Sequence, residues 1–145
     1  DEQSLTYCEL LYYVQVLSLT LLNEHHVVPG GIECQCVERS LSMVIGIMGI
    51  EMAGSVYCPL SPRDPSHRLY ALTQQTQSRL VLGHWLTKMK FNSDSLTIDI
   101  QSILISDDLM MDVDVNRLSS ITVKPSDTAY IIFTSGSTGI PKAVC

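Results

Sequence analysis

The sequence has little positive charge and no cluster of it. Its 145 residues include 9 Lys and Arg against 15 Asp and Glu, a net charge of −6 at pH 7. No basic cluster has more than two members. Proteins that bind nucleic acids or anionic membranes by electrostatic attraction present a basic patch. We therefore predict that neither a nucleic acid nor a membrane surface is a partner.

The sequence also lacks an apolar run typical of a membrane span. Residues 10–22 are apolar but too few to cross a bilayer. Residues 41–60 are numerous enough, but Glu51 interrupts them, and a central carboxylate costs about 2.5–3.5 kcal/mol on insertion. The first two residues, Asp1 and Glu2, are acidic, unlike the start of a signal peptide. These features predict a cytoplasmic protein.

The cysteines do not form a recognisable disulfide framework or zinc motif. They are odd in number and scattered, which favours reduced thiols; they lie at Cys8, Cys34, Cys36, Cys58 and Cys145. Two of them stand two residues apart, near His25 and His26, but this spacing matches none of the usual zinc patterns. Small buried side chains are the favoured interpretation. We predict no metal site and no catalytic residue in this chain.

Helix and strand patterns alternate along the first 82 residues. Thr6 and Glu9 form the pattern of a capping box at the start of a helix that ends near Asn23. Further helices are predicted from the Ser40 cap to about residue 53, and from an Asp64 cap to about residue 76. The predicted strands of this part are 32–37, 56–60 and 80–82.

This alternation predicts an α/β fold, with a parallel β-α-β-α-β sheet flanked by helices. The composition, 46% hydrophobic and 17% charged, is that of a globular chain. The remainder is less regular. We predict strands at 96–100 and 103–105, an acidic surface loop at 107–114 and a last strand at 129–133.

A glycine- and hydroxyl-rich loop follows this last strand and ends in a lysine. Glycine lets backbone N–H groups converge on an anion, hydroxyls add donors and a lysine adds charge, so the loop favours a polyphosphate ligand. A flexible linker or a hairpin loop has a similar composition. The loop lacks the Walker pattern, because Pro141 precedes Lys142 and Ala143 follows it. Pro141 also predicts that no helix begins directly after the loop.

Residues 134–142 resemble the phosphate-binding motif of the adenylate-forming, AMP-binding superfamily. Residues 5–10 and 49–60 resemble the first and second core motifs of nonribosomal peptide synthetase adenylation domains, so the likeness covers nearly the whole chain. The sequence departs from the family at three turn or loop positions. Ala143 stands where glycine is usual, and Ser61 and Gly31 stand where aspartate is common.

The resemblance implies that residues 1–145 are the incomplete N-terminal subdomain of an amino-acid-activating domain. Such a domain uses ATP with Mg²⁺ and a carboxylate, here an amino acid, to form aminoacyl-AMP and pyrophosphate. The acyl group then passes to the phosphopantetheine thiol of a carrier domain. The residues that would bind the phosphates are Thr134, Ser135, Gly136, Ser137, Thr138, Gly139 and Lys142.

The family's metal-binding glutamate, adenine contacts, amino-acid pocket and catalytic lysine are expected beyond residue 145. We therefore expect the chain alone to be inactive. Two alternatives remain open. The chain could belong to an acyl-CoA synthetase or an aryl-acid ligase, or it could be a non-catalytic remnant that acts as an interaction module.

Overall fold

The computed structural model describes residues 4–91, 96–105, 113–134 and 139–145. The helices are α1 (Tyr7–Asn23), α2 (Leu41–Met52), α3 (Ser66–Thr76), α4 (Trp85–Lys88), α5 (Ile100–Ile105) and α6 (Val115–Ser119). The strands are β1 (Ile32–Cys36), β2 (Val56–Pro59), β3 (Leu80–Gly83), β4 (Leu96–Asp99), β5 (Ile132–Thr134) and β6 (Lys142–Val144).

The main sheet is parallel and has the strand order β2-β1-β3-β4. Strands β5 and β6 form an antiparallel hairpin. The chain leading into β5 joins the free edge of β2: the Tyr57 N–H donates to the Ala129 carbonyl at 2.9 Å, and the Ile131 N–H donates to the Tyr57 carbonyl at 2.8 Å. This contact is parallel, so β5 runs in the direction of the main sheet. The predicted parallel α/β sheet is confirmed.

The first helix begins as the sequence predicts. The Thr6 backbone N–H donates to the Glu9 carboxylate at 2.7 Å, and the Glu9 N–H donates to the Thr6 hydroxyl at 3.3 Å. The helix then presents Val14, Leu17 and Leu21 to the core, all with no exposed surface. The capping box is therefore confirmed, and the buried residues form an apolar stripe along one face of the helix.

Helices cover both faces of the sheet. One hydrophobic cluster joins α1 and α2 to the sheet, and a second lies between the sheet and α3. Alternate residues of a strand face opposite sides. Cys34 and Cys36 of β1 therefore belong to the α3 side, whereas Gln35 faces α2 and donates to the Met43 carbonyl at 3.1 Å.

Two local predictions are wrong. Residues 103–105, predicted as a strand, lie in α5, whose first turn is stabilised by the Asp99 carboxylate accepting from the Gln101 N–H at 3.0 Å. Asp64 does not cap α3, because the helix begins one residue later than predicted, with Pro65 at its N-cap. Asp64 instead accepts a hydrogen bond from the side chain of Arg68.

The later part of the chain contains two short helices, α4 and α6, that were not predicted. Residues 107–112 of the predicted acidic loop lie outside the described residues, whereas Asp114 caps α6 by accepting from the Arg117 N–H at 3.0 Å. Within the described ranges, no helix combines the length and the apolar character that a bilayer span requires.

Candidate functional site

The predicted phosphate loop connects the two strands of the β5–β6 hairpin. Thr134 is paired with Lys142 in the strand register, and the Thr134 hydroxyl donates to the Lys142 carbonyl at 3.3 Å. The first and last residues of the motif therefore lie side by side. The connection, residues 135–141, exceeds the two to five residues that hairpins commonly use. A simple chain reversal does not require this length.

Three of the seven predicted site residues are described: Thr134, Gly139 and Lys142. Gly139 has a φ of +78°, and apart from its chain neighbours no described residue has an atom within 4 Å of the place a Cβ would take. Glycine is therefore favoured there by its backbone conformation. Lys142 is exposed, and no carboxylate in the described ranges pairs with it. The other four lie outside the described residues: Ser135, Gly136, Ser137 and Thr138.

The loop leaves the sheet at its carboxyl edge. Because β5 runs parallel to β2, the loop after β5 and the turn after β2 emerge on the same side. Phe133, directly before the loop, packs against the hydrophobic cluster beneath α3 and so anchors the loop's first residue. In open parallel sheets, ligands bind outside the carboxyl ends of the strands. As predicted, no helix follows Pro141; β6 begins at Lys142.

Positive charge collects at this edge, although the whole chain carries a net charge of −6. Six of the nine Lys and Arg residues lie in the segments that follow the carboxyl ends of strands: Arg39, Arg63, Arg68, Lys88, Lys90 and Lys142. Three described carboxylates lie there, those of Glu38, Asp64 and Asp99. Among the described residues at this edge, cations therefore outnumber carboxylates, which favours an anionic ligand.

A cavity of about 450 Å³ opens at this edge. Its polar wall includes Ser61, Asp64 and Arg68, and Phe133 lies on its apolar wall. The Arg68 Nε donates to Asp64 at 3.2 Å. These three polar residues were not predicted as site residues. The available signal was an Asp and an Arg four residues apart at the start of a helix that follows a strand.

A larger groove lies at the opposite edge of the sheet. Its volume is about 810 Å³, and it runs between the amino ends of β1 and β2 and residues 122–131. Volume alone would favour it as the ligand site. The loop, six of the nine basic residues and the carboxyl ends of the strands are at the other edge, so we place the candidate site there.

Two titratable side chains of the sheet, those of Cys36 and Tyr57, are not nucleophiles at neutral pH. Burial raises the pKa of the Cys36 thiol to about 12 and that of the Tyr57 phenol to about 12, so both are protonated at neutral pH. Burial also raises the pKa of Glu33 to about 7. In the parts of the chain that are described, no group of three His, Cys, Asp or Glu side chains could hold a metal ion.

A family model described as "AMP-binding enzyme" matches residues 1–145. The chain belongs to the AMP-binding enzyme family. This membership confirms the resemblance drawn from the three sequence motifs, and the relatives agree with the peptide synthetase branch.

Curated relatives of this AMP-binding chain are much longer than it is. Zwittermicin A synthase ZmaJ of Bacillus cereus is 40% identical over 143 residues, which are 99% of this chain and 26% of that protein. Bacitracin synthase 3 of Bacillus licheniformis is 36% identical over 124 residues, which are 86% of this chain and 2% of that protein. The chain thus spans about a quarter or less of these two relatives.

Solved structures share the fold. The N-terminal subdomain of Klebsiella oxytoca NpsA matches with a TM-score of 0.81 and 22% identity over 99% of this chain and 35% of that one. The nonribosomal peptide synthetase FmoA3 (S1046A), in its AMPPNP-bound form, matches with a TM-score of 0.81 and 23% identity over 99% of this chain and 14% of that one. The predicted fold, that of the N-terminal subdomain of an adenylate-forming enzyme, is confirmed.

Proposed function

We propose that this chain supplies the triphosphate-binding loop of an ATP-dependent adenylation domain that activates an amino acid. In this reaction a carboxylate oxygen attacks the α-phosphorus of Mg-ATP. The bond from that phosphorus to the β-phosphate oxygen breaks, which releases pyrophosphate and leaves aminoacyl-AMP. The acyl group then moves to the phosphopantetheine thiol of a carrier domain, with release of AMP. A reaction that uses ATP and a free thiol suits the cytoplasm.

The observation that carries the proposal is the pairing of Thr134 with Lys142 at the carboxyl edge of the sheet. A hydroxyl and an ammonium group that no described carboxylate pairs with lie on paired residues there, and Gly139 supplies the backbone conformation that a curled loop needs. Negative charge builds up on the departing pyrophosphate. Hydrogen-bond donors and a cation placed where this charge develops would stabilise it.

Two further facts support this assignment. The chain is an AMP-binding family member, and FmoA3, which shares its fold, has been solved with the triphosphate analogue AMPPNP. The positive charge of the edge also suits a polyphosphate better than a neutral ligand. In this proposal all seven motif residues contact the β- and γ-phosphates: Thr134, Ser135, Gly136, Ser137, Thr138, Gly139 and Lys142.

Exchange of pyrophosphate into ATP tests the proposal on a protein that contains this chain. We expect exchange to depend on an amino acid and to fall about 100- to 1,000-fold in a Lys142→Met variant, the usual effect of removing one oxyanion contact. Lys124→Met is the matched control, since Lys124 lines the groove at the opposite edge. Unchanged ATP binding after replacement of Lys142, Gly136 and Gly139 together would refute the loop's role.

Aryl acids are the second substrate class to include. An NpsA N-terminal subdomain of the same fold, with a TM-score of 0.80, was solved with 3-hydroxybenzoyl-AMSN. Exchange with aryl or fatty acids alone would replace the amino acid in the proposal by that class. A mass increase on a phosphopantetheinylated carrier would identify the activated acid directly. We expect the 145-residue chain by itself to show no exchange.

A further inference from the structure

We propose that Arg68, at the start of α3, is a further contact for the β- and γ-phosphates of the nucleotide, outside the loop motif. The proposal rests on the function proposed above. It concerns a residue 66 positions before the loop in sequence, which the motif does not include. The fold brings the two parts of the chain to the same edge of the sheet.

The guanidinium group of Arg68 makes one hydrogen bond and keeps other donors unused among the described residues. Its Nε donates to the Asp64 carboxylate at 3.2 Å, and its two terminal nitrogens make no hydrogen bond to the described residues. The side chain is 41% exposed, so a ligand can reach it. Arginine has five N–H donors in a planar fork that suits phosphate oxygens. Most of these donors are therefore free for an anion.

The turn between β2 and α3, just before Arg68, is held in place by hydrogen bonds. The Lys90 ammonium donates to the carbonyl of Pro62 and, at 3.3 Å, to the carbonyl of Asp64. Ser61, where the family commonly has aspartate, accepts from the Arg63 N–H at 3.3 Å. The Lys90 contacts tie the turn to the segment that follows β3, and the Ser61 contact lies within the turn. A cation on a fixed turn loses little freedom when it binds a phosphate.

The cavity connects this turn to the loop. Arg68 and Phe133 line the same space of about 450 Å³, and Phe133 immediately precedes Thr134. A volume of this size lies within the usual range of ligand pockets. Arg68 and Asp64 are the charged residues that line it, and the Lys90 ammonium is bound to the backbone of the preceding turn. An anion in this space would therefore contact Arg68 close to the start of the loop.

The simpler interpretation is an ion pair on a helix surface. Arg68 and Asp64 are four residues apart, and exposed pairs of this kind add about 0.3–0.5 kcal/mol to stability. If that were the whole role of Arg68, its replacement would change the stability slightly and leave nucleotide binding unchanged. Binding measurements separate the two interpretations.

The test measures Kd by titration calorimetry for ATP, tripolyphosphate, pyrophosphate and AMP, on a protein that contains this chain. For Arg68→Gln we expect Kd to rise about tenfold or more for the first three ligands, as for loss of a charge-assisted hydrogen bond. AMP should bind as before. Arg68→Lys should show a smaller loss, because lysine keeps the charge but not the planar fork. Arg63→Gln is the matched control, since Arg63 is exposed on the same turn and does not line the cavity.

Each outcome decides the proposal. If Lys142→Met weakens ATP binding but Arg68→Gln and Arg68→Lys bind as the unchanged protein does, the role of Arg68 is refuted and the function proposed for the loop stands. If neither Lys142 nor Arg68 matters, both proposals fail. An equal loss of affinity for AMP and for ATP in Arg68→Gln would also refute the contact to the β- and γ-phosphates. If Arg68→Gln lowers the unfolding temperature, its binding data are set aside. The Kd values of Arg68→Lys then decide the proposal.

Discussion

Glu33 should make the chain less stable as the pH rises. It lies in the buried strand β1, opposite Tyr57 of β2, with only 6% of its surface exposed. Its Oε2 has no hydrogen-bond partner in the described parts of the chain. Burial raises the pKa of the Glu33 carboxyl from 4.5 to about 7, against the opposing influence of the Arg79 charge. The folded chain therefore holds this proton more tightly than the unfolded chain does.

The sign and size of the change in stability with pH follow from this difference in pKa between the folded and unfolded states. Below pH 4.5 the carboxyl is protonated in both states and costs nothing. Above pH 7 it is ionised in both, and the folded state bears the cost of a buried charge. Because one pKa unit corresponds to about 1.4 kcal/mol, the cost rises from about 1 kcal/mol at pH 5 to about 3 kcal/mol at pH 8. Glu33→Gln removes the charge and keeps the shape, so its stability advantage should grow by about 2 kcal/mol over this range.

Urea unfolding followed by far-ultraviolet circular dichroism, at pH values from 5 to 8, measures this difference. Glu38→Gln is the matched control, because Glu38 lies just beyond the same strand and is exposed. Arg79→Gln should steepen the loss of stability with pH, since the Arg79 charge lowers the pKa of Glu33. A stability difference between Glu33→Gln and the unchanged chain that stays constant from pH 5 to pH 8 would refute the reasoning.

Three other predictions concern packing, capping and thiol chemistry. Thr6→Ala removes the hydroxyl of the capping box and should lower the free energy of unfolding by about 1 kcal/mol in the same urea experiment, unlike the exposed Ser4→Ala. Gly49→Ala places a Cβ 2.6 Å from the Leu17 side chain and should destabilise by about 1–3 kcal/mol; an unchanged midpoint would show that the helices can separate. Ellman's reagent should titrate Cys8 and Cys145 in the folded chain and all five cysteines after unfolding, since the other three are buried.

Much of the fold follows from local patterns in the first 82 residues. The capping box at Thr6 and the cap at Ser40 both lie where the pattern predicts. Short apolar strands between amphipathic helices leave few arrangements other than a parallel sheet. Each of these signals acts within a few residues, so it can be identified without knowledge of the fold.

The missed elements depend on contacts that are distant in sequence. Residues 103–105 are apolar and β-branched in part, as strands are, but the Asp99 carboxylate at the end of β4 starts a helix there. Strand β6 has three exposed residues and exists through its pairing with β5. Glu33 interrupts an apolar strand with a carboxyl, and the sequence alone does not show that it is buried.

The candidate site depends both on local sequence patterns and on contacts between residues that are distant in sequence. The loop motif is local, and its glycine, hydroxyl and lysine residues predict a phosphate ligand from composition and spacing. Arg68 carries no such pattern; its relevance comes from the strand order. Because the chain leading into β5 pairs in parallel with β2, the turn after β2 and the loop after β5 must share one edge. A site on a parallel sheet is therefore built from several of the loops that follow the strands. The sequence motif identifies the loop with the most distinctive composition. We expect residues like Arg68, held by a neighbour and facing the same cavity, to be where the sequence-based description of such a site is least complete.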